Sequence, residues 1–433
     1  MHSDAFMPRE RRGMAEYLAA RKTVFLVAYL GYAFCYLVRN NLKLASASMA
    51  DSLNLTPIQI GIILASFTVA YAPGKVLMGI LVDRTSMKTM LVGCVGISAV
   101  ICAAIPLARS FPLLVALMIA LGIVQGAGAP AALAMVGSWY PNKTRGAAVS
   151  AWNTSQNLGA GVLAALAAVI LVWFPSDWRL IFWIPAGICA ALTLWLAKFA
   201  QNRPWQEGYP TLPMMYGRSG VPRSEVENQD SYWRLLWSAF TSSPVLLVLL
   251  VLNALLNLLR FGVINWITFY LPDDKGLTIS HAQNLFAVLE ITAIPMVVLF
   301  AFLAFKWPAS MSKVGFISML ALSATLVVYA LAGSGTFALI AALLLGGLIY
   351  APQVIVNILT VNLLPPRIIG AAVGAVGLSG YLVGEVLANL VIPVAAEALG
   401  WDAIYLGLAV VALVTAGVYS WLRPYERRSV VLH

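Results

Sequence analysis

Long apolar stretches separated by short polar ones dominate this chain. Stretches long enough to cross a bilayer as helices lie at 23–48, 59–82, 89–108, 112–138, 146–174, 178–199, 243–271, 281–305, 314–333, 336–362, 368–396 and 401–422. The pattern therefore predicts an all-α membrane protein with twelve transmembrane helices. Six spans precede and six follow a polar stretch at 200–242, whose proline, glycine and charged residues predict a linker.

The composition places the chain in the same class. Of its 433 residues, 61% are hydrophobic and 10% are charged, and the mean hydropathy is +0.87, which is typical of a polytopic membrane protein. The N-terminal stretch is too charged, and the first apolar run too long, for a signal peptide, so we expect the chain to be inserted and retained. The cysteines match no metal or disulfide spacing, and we expect packing roles for them and neither metal nor cofactor.

The basic residues are distributed unevenly along the chain. Most of the 27 lysines and arginines fall in segments that share one side of the membrane, and only Arg109, Arg179 and Lys275 fall in loops on the other. The positive-inside rule then predicts that 1–22, the linker and 423–433 are cytoplasmic. The basic segment 1–22 is either a surface helix or, as we favour, an inward extension of the first span. The net charge of +10 follows this topology, so we expect no nucleic-acid partner.

The two groups of spans are repeats of each other. "RGAAVSAWNTSQNLGA" at 145–160 aligns with "IGAAVGAVGLSGYLVG" at 369–384, and nearly the same offset pairs Arg39 with Arg260 and Pro130 with Pro352. A duplication of six helices keeps both copies in one orientation. The sequence thus predicts two six-helix bundles, 23–199 and 243–422, related by a pseudo-twofold axis along the membrane normal, with the substrate site between them. This is the layout of the major facilitator superfamily, and "GILVDRTSMK" at 79–88 fits its loop motif, with Gly79, Asp83 and Arg84 as gating residues.

Charged residues inside membrane spans cost roughly 2.5–3.5 kcal/mol on insertion scales and usually face a cavity or a partner. Six fall inside the predicted spans, away from the span ends: Arg39, Lys43, Lys75, Arg260, Glu290 and Glu385. Arg39 and Arg260 lie at one depth and are related by the repeat, and no acidic residue lies within a span of the first half. Because guanidinium groups bind phosphate in a bidentate way, we predict that these two arginines form an oxyanion site.

The other four charges allow several roles. Lys75 follows Pro73 and Gly74, which we expect to loosen the second span, and it either adds a charge to the site or pairs with Glu290. Lys43 is expected to snorkel to the outer headgroups. Glu290 is a candidate partner of Arg260 in the empty carrier. Glu385 is a structural partner, a protonatable coupling group or a counter-ion for a substrate ammonium.

Aromatic and amide side chains are candidates for lining the cavity. Several tyrosines lie one or two helical turns from a buried cation or on spans of the second half, namely Tyr32, Tyr36, Tyr71, Tyr350 and Tyr381. Asn153, Gln156 and Asn157 recur at helical spacing in the fifth span. The dense glycine and alanine around them indicates close helix packing.

The motifs resemble those of the organophosphate:phosphate antiporter family. The resemblance spans nearly the whole chain and is carried by "GYAFCYLVRNNLKLA", "VAYAPGKVLMGILVDR", "SWYPNKTRGAAVSAWNTSQNLGAG", "NLLRFGVINWITFYLP", "LEITAIP" and "LIYAPQ". It implies that Arg39 and Arg260 bind phosphate, and that Lys75, Glu290 and the five tyrosines belong to the site. Gln156 stands where the glycerol-3-phosphate carrier of that family has a histidine, Asn40 and Phe261 also depart from the family pattern, and Glu385 is an additional acid.

These features predict a secondary transporter rather than an enzyme. We expect a monomer in the bilayer of a cytoplasmic membrane that exchanges a small organic phosphate or phosphonate for inorganic phosphate by rocking its two halves. The alternatives are a proton-coupled organic-anion transporter and a transporter-like sensor of sugar phosphate. No nucleophile and base pair, metal cluster or phosphate-binding glycine loop occurs in the sequence.

Overall fold

The computed structural model describes residues 13–174, 177–209, 244–307, 310–332, 336–364 and 369–431, and this part of the chain contains helices but no strand. The helices of the first half are α1 (Met14–Leu37), α2 (Asn41–Leu53), α3 (Pro57–Arg84), α4 (Met87–Ala104), α5 (Phe111–Gln125), α6 (Gly128–Trp139), α7 (Asn142–Asn153), α8 (Ser155–Trp173) and α9 (Leu180–Phe199).

The second half repeats this pattern. Its helices are α10 (Pro244–Ile264), α11 (Ile267–Lys275), α12 (Ile279–Lys306), α13 (Met311–Leu331), α14 (Thr336–Tyr350), α15 (Pro352–Leu363), α16 (Ile369–Ser379), a π-helical turn (Gly380–Glu385), α17 (Val386–Leu399) and α18 (Trp401–Val431). Most of the predicted linker lies outside the described residues.

The described helices confirm the predicted all-α membrane fold. Eleven helical segments are long and apolar enough to cross a membrane. The remaining predicted span, 146–174, corresponds to α7 and α8, which follow each other with a short break at Thr154. The first and last helices extend beyond the apolar runs, because α1 begins at Met14 and α18 continues to Val431.

Several spans consist of two helices in succession. Breaks at 38–40 and 265–266 divide the first and seventh spans, and breaks at 126–127 and 351 divide the fourth and tenth. The π-helical turn interrupts the eleventh span near the position that corresponds to the break at Thr154 in the fifth. The second span differs from our expectation: α3 runs without a break through Pro73, so Pro73 and Gly74 do not open it.

Local sequence explains where the helices begin and end. Thr56 and Gln59 form a capping box at the start of α3, in which each side chain accepts from the other residue's backbone N–H. The hydroxyls of Ser86 and Thr278 likewise cap α4 and α12. Gly276 follows α11 with φ of 63°, in the left-handed region that glycine tolerates.

Close packing joins the helices within each half. In the second and fourth spans, a Cβ on Gly126 would stand 2.5 Å from the carbonyl carbon of Gly74, so these backbones touch as small residues permit. All four cysteines are buried, and the Sγ atoms of Cys35 and Cys94 lie 3.6 Å apart.

The bundle has two ends, named here by the chain. The terminus end is where α1 begins and where α3 and α18 end, and the far end is where α2 and α11 end. At the terminus end, the Glu426 carboxylate accepts from the backbone N–H groups of Met311 and Ser312 at 2.6 and 2.9 Å. The carboxylate thus accepts from backbone N–H groups at the start of α13, which have no acceptor within their own helix.

Candidate functional site

A cavity lies between the two halves at the level of the helix breaks. Residues from α1, α2, the break between them, α10, α12, α14 and the π-helical turn line it, namely Tyr36, Arg39, Asn40, Lys43, Arg260, Phe261, Ile264, Phe286, Glu290, Tyr350 and Tyr381. The structure therefore brings together both predicted arginines and several of the predicted tyrosines.

Arg39 lies in the break between α1 and α2 and is buried. Its guanidinium carbon stands 4.2 Å from the ring centroid of Tyr71, 4.8 Å from that of Phe67 and 5.1 Å from that of Tyr36. Aromatic rings attract a cation weakly through their π faces and do not neutralise it. The rings hold the guanidinium at the cavity wall and leave its charge available.

Arg260 faces the same cavity from α10. Its guanidinium carbon lies 4.0 Å from the ring centroid of Tyr350 and 5.2 Å from that of Phe261. Its Nε is buried without a hydrogen-bond partner in the described part of the chain. A buried donor without an acceptor is costly, so this nitrogen is suited to receive an oxygen of a ligand.

Neither arginine is paired with a carboxylate of the described residues. Within the described ranges, the ion pairs at 4.0 Å or less involve only Lys43 and Lys275 as cations. A carboxylate partner was the structural alternative to the predicted oxyanion site, and it is not observed in the described residues. Arg39 and Arg260 are thus two cations of one cavity, held by aromatic rings.

Glu290 is bound by neutral donors rather than by Arg260 or Lys75, contrary to the pairings considered from the sequence. The Tyr350 hydroxyl donates to its Oε1, and the Asn157 amide donates to its Oε2 at 3.2 Å. Since Tyr350 also packs on Arg260, one tyrosine separates the acid from the guanidinium. Asn157 comes from the first half and Glu290 from the second, so this hydrogen bond crosses between them.

Lys43 does not reach the outer headgroups, and the snorkelling expected for it is wrong. Its side chain is buried at the cavity wall, with Nζ 3.7 Å from Oε1 of Glu385. The break at 38–40 ends the helix that would have carried Lys43 outward, and Glu385 approaches from the π-helical turn of the other half. A structural partner was one of the roles considered for Glu385, and the partner is Lys43.

Lys75 lies beside the cavity rather than on its described wall. Its Nζ stands 5.8 Å from the ring centroid of Tyr381, which does line the cavity. The Tyr71 ring packs edge-on against Tyr381 at 5.4 Å. Lys75, Tyr71 and Tyr381 therefore form a layer in which α3 meets the second half.

Tyr32 and Gln156 support the wall from behind. The Tyr32 ring stacks on Trp152 at 4.6 Å and meets Tyr36 edge-on at 5.4 Å. The Tyr36 hydroxyl donates to Oε1 of Gln156 at 3.1 Å. In this conformation, Gln156 and Tyr32 thus act on the cavity through Tyr36.

The predicted gating motif is described only in part. The side chains of Asp83 and Arg84 lie outside the described residues. An added Cβ on Gly79 would stand 4.0 Å from the Pro130 ring, which is ordinary contact. Close packing therefore does not require a glycine at this position in this conformation.

Polar contacts between the halves close the far end of the cavity. The Thr268 hydroxyl donates to the Lys43 carbonyl at 3.1 Å and lies 3.0 Å from the Ser46 hydroxyl. The Gln283 amide donates to the Leu44 carbonyl at 2.9 Å. We refer to these contacts between α2 and the pair α11 and α12 as the far-end latch.

Sequence reasoning missed part of the wall. Ile264 and Phe286 are apolar residues within apolar runs, and nothing in their type distinguishes a wall position from a packing position. Lys43, Asn40 and Phe261 carried a usable signal, because the repeat that pairs Arg39 with Arg260 also pairs Asn40 with Phe261 and Lys43 with Ile264.

Known proteins resemble the chain along most of its length. The Major Facilitator Superfamily profile matches residues 28–388. A phosphoglycerate transporter protein of Salmonella typhimurium is 26% identical over 395 residues, with 89% of this chain and 85% of the relative covered. A glycerol-3-phosphate transporter of Bacillus subtilis is 26% identical, with 90% and 89% covered. A hexose-6-phosphate:phosphate antiporter of Escherichia coli is 26% identical, with 94% and 91% covered.

Solved structures of other transporters share the fold. A bacterial homologue of the human lysosomal transporter Spinster, in an inward-facing and unoccupied conformation, superposes with a TM-score of 0.71 at 18% identity, covering 95% of this chain and 97% of that one. This likeness concerns the fold alone. Together with the duplicated bundle and the profile match, it leads to one conclusion: the chain belongs to the Major Facilitator Superfamily.

Proposed function

We propose that the chain is an antiporter that exchanges a small organic phosphate or phosphonate for inorganic phosphate. The observation that carries the proposal is the pair of guanidinium groups, Arg39 and Arg260, that face one cavity without a carboxylate partner in the described residues. Transport of organic phosphates by the relatives named above supports it.

The charge of the cavity suits a phosphate ester. Its wall carries three cations, Arg39, Lys43 and Arg260, and one acid, Glu290. The net charge of these four residues is +2. If the Glu385 carboxylate behind Lys43 is included, the net charge is +1. A phosphate monoester carries about −1.5 to −2 at neutral pH, so an occupied cavity would be close to neutral.

Alternating access explains how the anion crosses the membrane. The described structure has the far-end latch closed, and the breaks at substrate depth give the spans places to bend. With the basic segments in the cytoplasm, both termini would be cytoplasmic and the latch would close the outer side of a cytoplasmic membrane. We propose a monomer without enzymatic activity as the transporting unit.

The test is phosphate exchange in proteoliposomes loaded with radiolabelled phosphate and diluted into unlabelled phosphate. Arg39→Lys and Arg260→Lys keep the charge but lose the bidentate fork. A charge-assisted hydrogen bond contributes about 1.5–3 kcal/mol, so exchange at low phosphate should fall by about 10- to 100-fold in each variant. Arg109→Lys, at an exposed position away from the cavity, is the matched control.

The outcomes separate the alternatives. Exchange that survives both cavity substitutions would refute the proposed site. Uptake driven by a pH gradient, without phosphate on the other side, would favour the proton-coupled anion transporter. Binding of phosphate esters without any flux would favour the sensor.

A further inference from the structure

Lys43 makes the cavity unsymmetrical. The repeat that relates Arg39 to Arg260 relates Lys43 to Ile264, and both of these residues line the cavity. The wall therefore carries two equivalent guanidinium groups and, beyond them, an ammonium on one side only. A solute bound between the arginines meets a cation with one of its ends and an apolar wall with the other.

The Lys43 ammonium is only loosely neutralised. Its distance of 3.7 Å from Glu385 exceeds the 2.7–3.2 Å of an N–H···O hydrogen bond. Glu385 does not line the cavity, and its Oε2 is buried without a hydrogen-bond partner among the described residues. The carboxylate thus stands behind the lysine and restrains it, while the lysine faces the solute.

The spacing between Lys43 and the arginines fits a short solute. Lys43 Nζ lies 4.7 Å and the Arg260 guanidinium carbon 5.2 Å from the centroid of the same Phe261 ring. The two charges are therefore at most about 10 Å apart across that ring. Contacts of about 3 Å at either end leave room for a chain of a few carbon atoms.

We propose that Lys43 binds a second anionic group of the transported solute, so that the carrier prefers short carboxylic acids that bear a phosphate or phosphonate. The inference rests on the exchange function proposed above. Arg39 and Arg260 bind the phosphoryl group, and the solute's carboxylate replaces Glu385 as the nearest partner of Lys43. Glu385 is a positioning residue, because it holds the ammonium at the wall while the cavity is empty.

Two competitors that differ in one group test this subsite. 3-Phosphoglycerate and glycerol-3-phosphate both carry a phosphate, but the first ends in a carboxylate and the second in a hydroxymethyl group. Each is added as an inhibitor of labelled phosphate exchange, and the ratio of their half-inhibitory concentrations measures the preference for the acid. A hydrogen bond between charged groups corresponds to about 10- to 100-fold, and we expect a wild-type preference in that range.

The variants identify the residue responsible. Lys43→Gln should abolish the preference, whatever its effect on phosphate exchange itself. Glu385→Gln removes the competing carboxylate and should strengthen the preference. Lys198→Gln removes an exposed charge at the end of α9, outside the cavity, and should retain the wild-type ratio.

Failure of the Lys43 subsite can be distinguished from failure of the proposed exchange function. If the wild type exchanges phosphate but inhibition by the two compounds is equal, or if Lys43→Gln keeps the preference, the subsite is refuted and the exchange function stands. A preference for phosphoethanolamine over glycerol-3-phosphate also refutes it, because that result assigns the recognition to Glu385. If the wild type shows no exchange, the function fails, and the same ratio measured by ligand-induced thermal stabilisation in detergent still decides the subsite.

Discussion

Thr268 is the centre of the far-end latch, and its removal should shift the carrier towards the state that is open at the far end. Its hydroxyl donates to the Lys43 carbonyl and lies beside the Ser46 hydroxyl, so it connects α11 of one half to α2 of the other. Thr268→Val keeps the shape of the buried side chain and removes only the hydroxyl. The perturbation thus acts on the contact between the halves rather than on the packing of either.

The magnitude follows from the hydrogen bonds that are lost. Thr268 takes part in two, but the Ser46 hydroxyl can turn to the Lys43 carbonyl, which lies 3.0 Å away. The net loss is then one hydrogen bond between the halves. Such a bond contributes about 0.6 kcal/mol between membrane helices and up to about 1.5 kcal/mol in general. The ratio of open to closed far ends should therefore rise by about 3- to 12-fold.

Double electron–electron resonance between two spin labels measures the ratio of open to closed far ends directly. Leu107 in the first half and Leu331 in the second are 68% and 70% exposed, and both lie at the far end, so cysteines there accept labels on opposite halves. The longer-distance population should grow in Thr268→Val. Thr325→Val is the control, because among the described residues the Thr325 hydroxyl bonds only to Ala321, within its own helix. An unchanged distance distribution in Thr268→Val would refute the latch.

Three further substitutions test other contacts. Tyr350→Phe removes the hydroxyl that donates to Glu290 and leaves the carboxylate to attract the neighbouring guanidinium, so the phosphate concentration for half-maximal exchange should rise about 10-fold. Glu426→Ala removes the acceptors at the start of α13 and should cost about 1–2 kcal/mol, measured as a lower unfolding temperature. Gly159→Ala places a Cβ 2.1 Å from a carbonyl oxygen of α1 and should destabilise the protein by about 1–3 kcal/mol. Gly187→Ala should not, because a Cβ there meets no described atom within 4 Å apart from the neighbouring backbone of its own helix.

The sequence was sufficient to predict features that are duplicated in the chain or that are energetically costly in a membrane. The twelve apolar runs follow from the thickness of the bilayer, and the described helices agree with them. Arg39 and Arg260 could be recognised because each is an expensive charge and the duplication placed both at one depth. The structure brings these two residues to the same cavity, as that reasoning required.

Pairings between charges were not predictable, because they depend on where helices break and which faces meet. Lys43 was expected to reach the headgroups along a continuous helix, but the break at 38–40 directs it to the cavity and to Glu385. Glu290 offered two cationic partners in sequence and has two neutral ones in space. Two of these contacts, Lys43 with Glu385 and Asn157 with Glu290, join residues from opposite halves, and the third joins two different spans of the second half. No local pattern specifies such partners.

The breaks within the spans have a mechanical consequence. A continuous helix of twenty or more residues is a stiff rod, whereas a helix that lacks backbone hydrogen bonds at one point bends there at little cost. In this protein, the joints at 38–40, 265–266, 351 and the π-helical turn lie around the charged cavity. Arg39, Lys43 and Tyr350 line the cavity at or within a turn of these joints, and Glu385 lies in one of them, behind Lys43. A ligand that contacts the three wall residues therefore acts directly on the angle between the two ends of a span.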